Sequence, residues 1–154
     1  MIVNHFQQFG LPVQYNVDKE VIRNLSNQLF RQTHPDGSHP DPQKFQSLQQ
    51  AKKILLNDVK RANYLLEVNN FKEKQIFDKN ILIKQMEIGE KRASYQGDLK
   101  SKFIQEVKCI KEEQLELFQE FFQMRDFQQC QKILGFVNFL EQQLNQDKEQ
   151  QIMK

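Results

Sequence analysis

The residues best equipped for chemistry lie in one short stretch. His34-Pro35-Asp36 is followed five residues later by His39-Pro40-Asp41. Two imidazoles with two carboxylates could hold a divalent metal. Several prolines, however, make the stretch a mobile loop and a poor preorganised site. The other titratable candidates, His5, Cys109 and Cys130, are scattered. No nucleophile–base pairing, metal-ligand spacing or phosphate-binding glycine loop accompanies them. The sequence therefore predicts no enzyme, no metal and no cofactor. What remains for such a stretch is recognition. Pro35 fixes one backbone angle, which helps present His34 and Asp36 in a defined turn.

The elements that must position this turn are helices. Asp18 is a good N-cap, and Val21, Ile22, Leu25, Leu29 and Phe30 follow at helical spacing. That helix must end by Thr33 or His34, because a residue before proline avoids helical geometry. Asp41-Pro42 reads as a second cap with proline at the first helical position. The helix it opens carries Phe45, Leu48, Ala51, Leu55 and Val59. Ahead of both, Phe6 and Phe9 sit in a short segment ending at Gly10-Leu11-Pro12, a turn signal. A stretch from Ala62 to Val68 closes this unit, and Asn69-Asn70 reads as the linker.

From Ile76 the pattern is again helical, with Ile81, Leu82, Ile83, Met86 and Ile88 spread over a broad surface. Gly97 and Asp98 read as a stop and the next cap. Phe103, Val107, Ile110, Gln114, Leu117, Phe121 and Met124 then run at 4-3 spacing, a coiled-coil-like seam. Arg125-Asp126 marks a turn. Ile133, Val137, Leu140 and Leu144 continue the spacing on a last helix, which is expected to fray from Asn145. No strand is convincing. The expected class is all-α, with an N-terminal unit over 1–69 and a three-helix bundle over 70–154.

Composition agrees. The 154 residues are 38% hydrophobic and 27% charged, which fits a modest core. Thirteen Phe and no Trp mean that Phe supplies most of the large apolar surface. A net charge of +2 is too small for the footprint of a nucleic-acid binder. No run approaches the roughly 20 apolar residues of a membrane span. The first residues have no signal or transit character, so the expected compartment is the cytoplasm. Both cysteines fall on expected helices and read as small buried fillers.

Phe9-Gly10-Leu11-Pro12, the helix from Asp18, Arg31-Gln32-Thr33-His34-Pro35-Asp36 and Arg61-Ala62-Asn63-Tyr64-Leu65-Leu66 occur in that order. Together they resemble the HscB family of J-type co-chaperones for iron–sulfur cluster assembly, over nearly the whole chain. The resemblance implies an L-shaped all-helical monomer that is itself no enzyme. Its N-terminal J-domain would stimulate an HscA/DnaK-class chaperone ATPase through His34, Pro35 and Asp36. Lys19, Arg23 and Arg31 would give the preceding helix a basic face that steers it toward an acidic groove. The C-terminal bundle would hold the scaffold protein IscU. Aligned to the family pattern, the scaffold surface falls on Leu82, Ile83, Met86, Glu87, Glu90 and Phe139. One groove cannot bury Ile81, Leu82, Ile83 and Met86 together, which favours an exposed apolar face. Phe139 is expected to be exposed toward the first bundle helix.

The chain departs from the family pattern at several points. Gly37 stands where a basic residue is usual, and the loop after it is short. Lys52 replaces an aromatic, Asp58 a proline, and Gly89 a charged residue. The cysteine-rich zinc module of some eukaryotic members is absent, which suggests a bacterial protein. The alternative is a generic J-domain protein whose C-terminal helices dimerise as a coiled coil or bind another client.

Overall fold

The computed structural model describes residues 4–71 and 77–152. Among them the chain forms seven helices and no strand. It divides into two compact units, Met1–Asn70 and Phe71–Lys154.

The first unit holds α1 (His5–Gln8), α2 (Lys19–Thr33), α3 (Pro42–Leu56) and α4 (Asp58–Val68). The Asp18 carboxylate accepts from the N–H groups of Glu20 and Val21 and so starts α2. Asp41 accepts from the Lys44 N–H, with Pro42 in the first turn of α3. The α2–α3 hairpin closes around Ile22, Leu48, Ala51 and Leu55, all buried. Inside α2, the buried Ser26 donates its hydroxyl to the Ile22 carbonyl, so no polar atom is stranded. Helix α1 packs on α3 and buries Phe6, with Phe9 buried at its C-terminal cap. Its His5 N–H donates to the Tyr64 hydroxyl at 2.8 Å, and the His5 ring stacks on Tyr64.

The second unit holds α5 (Lys79–Ser94), α6 (Leu99–Gln123) and α7 (Phe127–Ile152). Ile88 of α5, Phe103 and Val107 of α6, and Phe136, Leu140 and Leu144 of α7 share one core. Arg92 extends this closure: its Nε donates to Gln143 Oε1 at 2.6 Å and its guanidinium lies over Phe103. Between α6 and α7, Arg125 takes a positive φ of 61°.

Several expectations from the sequence need correction. The α6 seam begins as expected at Phe103 and Val107 but then moves to Leu115, Phe118 and Phe122. Leu117 and Met124 are exposed instead. A straight α-helix drifts about 20° per heptad against a 3.5-residue repeat, so the inward stripe slips by one residue. This helix packs by its own 3.6-residue period. Asp98 stands before α6 but makes no capping hydrogen bond, because its own backbone is already helical at φ −64°, ψ −27°. Cys109 is exposed, whereas Cys130 is buried. Burial pushes the Cys130 thiol up to about 12, so it is an inert filler. Helix α7 runs through to Ile152 and does not fray at Asn145. Ile76, the expected start of the second helical pattern, lies outside the described residues; α5 itself starts at Lys79 on an Asp78 cap.

Candidate functional site

The turn after α2 is built by its own proline. His34 leaves the helical region, at φ −58° and ψ 149°, as a residue before proline must. The Gly37 N–H donates to the His34 carbonyl at 2.7 Å and closes the turn around Pro35 and Asp36. The Asp36 N–H donates to His34 Nδ1 at 3.2 Å. In the neutral imidazole the proton therefore sits on Nε2. From the α3 side, Phe45 meets the His34 ring edge-on at 5.7 Å and is itself braced by Phe30. The ring is thus held between two helices. The His34 and Asp36 side chains remain 52% and 94% exposed. The turn offers a partner one N–H donor and one carboxylate, in a geometry set by backbone hydrogen bonds.

The second tripeptide is used differently. Its Asp41 carboxylate is the α3 cap, 3.1 Å from the Lys44 nitrogen. His39 Nδ1 lies 3.2 Å from the Ser38 hydroxyl. Among the described residues, no three His, Cys, Asp or Glu side chains converge as metal ligands.

The three expected cations of α2 do not act alike. Arg23 and Arg31 are exposed. Lys19 forms an ion pair with Asp58 at 3.2 Å, so its charge is directed at α4. Eight residues turn a helix through about 80°, so Arg31 is also rotated away from Arg23. On α2 the exposed cations are therefore Arg23 and Arg31, while Lys19 is paired with Asp58.

Asp58 and its neighbours turn a departure from the family pattern into a fastening. Arg61 is 4% exposed. Its Nε donates to the Tyr15 carbonyl at 2.7 Å, Nη1 to the Leu55 carbonyl at 2.8 Å and Nη2 to Asp58 at 2.9 Å. The guanidinium also lies 4.6 Å from the Tyr15 ring centroid. One side chain therefore ties the α1–α2 connection, the end of α3 and the start of α4. Burial alone would raise the Asp58 carboxyl, but hydrogen bonds from Lys19 and Arg61 and their charges outweigh it and hold it below the usual range. Lys52 likewise replaces an aromatic contact by placing its ammonium over the Phe30 ring at 5.4 Å. Sequence reasoning missed the Arg61 hub; its only trace is an Asp and an Arg three apart at a helix start.

On α5, Ile81, Gln85, Ile88 and Arg92 turn inward to varying depth. Leu82, Ile83 and Met86 lie on the other side, 43%, 44% and 60% exposed. Glu87 and Glu90 are exposed along the same helix. Three large apolar side chains within five residues, edged by carboxylates, form the kind of patch that anchors a partner. Phe139 is only half-buried: it stacks on Phe136 and packs against the core that includes Ile88, so it is less free than expected. Nothing lies within 4 Å of a Cβ built on Gly89, so no packing contact demands glycine there.

The sequence matches the DnaJ domain family over residues 5–64. It is 32% identical over 100 residues to the co-chaperone protein HscB homolog of Vibrio vulnificus (strain YJ016), a match spanning 57% of this chain and 58% of that relative. It is 25% identical over 156 residues to the homolog of Photobacterium profundum, across 90% and 91% of the two chains. The fold is similar to that of human co-chaperone protein HscB, with a TM-score of 0.87 at 22% identity, covering 99% of this chain and 84% of that one. Chaperone HscB from Vibrio cholerae is similar too, with a TM-score of 0.81 at 21% identity over 98% and 99% of the two chains. The helical hairpin and its exposed His-Pro-Asp turn are those of a J-domain protein. Residues 5–64 match the DnaJ domain, and the chain as a whole is similar to HscB co-chaperones.

Proposed function

We propose that this chain is a co-chaperone of iron–sulfur cluster assembly. Its first unit, as the J-domain, engages an HscA/DnaK-class chaperone and stimulates ATP hydrolysis through His34, Pro35 and Asp36, with Arg23 and Arg31 steering the approach. Its second unit holds an IscU-type scaffold on Leu82, Ile83 and Met86, with Glu87, Glu90 and Phe139 at the edge. Delivery and ATPase stimulation are then one event, and the cluster passes to an acceptor. The chain itself performs no turnover.

The observation that carries this reading is a braced, exposed His-Pro-Asp turn in the same chain as the exposed apolar face of α5. The alternative coiled-coil dimer would need the α6 seam. Only Phe103 and Val107 of that seam are buried, and the inward stripe they share with Leu115, Phe118 and Phe122 is occupied within the chain, which favours a monomer. No helix among the described residues is long and apolar enough to cross a membrane; the proposed compartment is the bacterial cytoplasm.

The test is cluster transfer from loaded scaffold to an apo-acceptor, with chaperone and ATP present. Adding the chain is expected to accelerate transfer, and omitting ATP to remove the acceleration. Equal rates with and without the chain would contradict the proposal.

A further inference from the structure

The last carbonyls of a helix have no partner within it and must find one outside. At the end of α2 they are met by the loop that follows. The Gln32 carbonyl accepts from the His39 N–H at 2.9 Å, and the Thr33 carbonyl from the Asp41 N–H at 3.0 Å. The loop therefore folds back over the end of α2. That path brings Gly37 against the helix. A Cβ at Gly37 would lie 2.2 Å from the Arg31 carbonyl oxygen and 2.7 Å from that of Gln32. Both neighbours are backbone, held in a helix, and neither can swing aside. The same Gly37 supplies the N–H that closes the turn on the His34 carbonyl.

We propose that Gly37 and the backbone of the second tripeptide form a clasp that presets the His34-Pro35-Asp36 turn for its partner. The inference rests on the proposed function and assigns Gly37 as a positioning residue. Here the missing side chain lets the loop close, and the second His-Pro-Asp supplies the closing amides of His39 and Asp41. A clasped turn spends its time in the competent geometry, and a released turn visits it only in part. Apparent affinity falls by the competent fraction, while the bound state is unchanged.

Gly37→Ala should therefore raise the concentration for half-maximal ATPase stimulation by about tenfold, if the competent fraction falls to about a tenth. The maximal rate should stay close to wild type. His39→Pro is the second variant: it removes one clasp donor and leaves Gly37 and the first tripeptide intact, and it should shift the same parameter. Amide hydrogen exchange of the full chain supplies the structural readout. The His39 and Asp41 amides should be protected in wild type, and the Asp41 amide unprotected in both variants. Half-maximal concentrations equal to wild type would overturn the proposal, as would a fall in maximal rate alone. Unprotected His39 and Asp41 amides in wild type would overturn it as well. No stimulation by wild type would instead contradict the proposed function, and amide exchange would still decide whether the clasp exists.

Discussion

Replacing Arg61 with alanine is expected to destabilise the first unit by about 3–5 kcal/mol, more than any surface change in the chain. Three charge-assisted hydrogen bonds are lost together. Each such bond is worth about 1.5–3 kcal/mol, discounted at Asp58, where solvent screens the pair. The carbonyls of Tyr15 and Leu55 lose their donors, and a cavity opens beside the Tyr15 ring. Arg61→Lys keeps the charge but not the fork. A single ammonium cannot reproduce the planar geometry that reaches two carbonyls and a carboxylate, so lysine should recover less than half of the loss. Urea unfolding, followed on amide signals of α2 and α3, measures both variants. A loss below about 1 kcal/mol would mean that the hub is only a surface contact.

The second large effect is on binding, not stability. Leu82→Ala with Met86→Ala should weaken scaffold binding by about 30-fold or more, the effect of removing one strong hot spot. Both side chains are substantially exposed, so the melting temperature should barely move. Ile88→Ala, two residues beyond Met86, is the opposite control. Ile88 is 6% exposed in the core of the second unit, and its truncation should cost about 2–5 kcal/mol. Calorimetric titration with IscU and a thermal melt separate the two outcomes. Unchanged affinity in the double variant would move the client surface elsewhere.

Much of the fold is legible because its signals are local. Asp18 and Asp41 start their helices through contacts within three residues, and a residue before proline ends α2. The exposed face of α5 was legible from width alone, since four large apolar side chains cannot share one groove. The rest depends on partners distant in sequence or on small angles. The α6 seam could not be placed, because 3.5- and 3.6-residue repeats look alike over one heptad and separate by about 60° over three. Lys19 looked like a free cation until Asp58, 39 positions later, came within 3.2 Å. Gly37 looked like a missing positive charge; its reason is the pair of carbonyls that a Cβ would strike. Lys52 and Asp58 looked like weak points, and each has a compensating contact.

The most direct test of the account is steady-state ATP hydrolysis by the cognate HscA-class chaperone, with and without IscU. Wild type, His34→Gln and His39→Gln are compared. Stimulation is expected to be enhanced by the scaffold, abolished by His34→Gln and retained by His39→Gln, because the second tripeptide contributes its backbone and not its imidazole. Stimulation that survives in His34→Gln and disappears in His39→Gln would contradict this expectation, and so would a wild-type chain that leaves the ATPase unchanged.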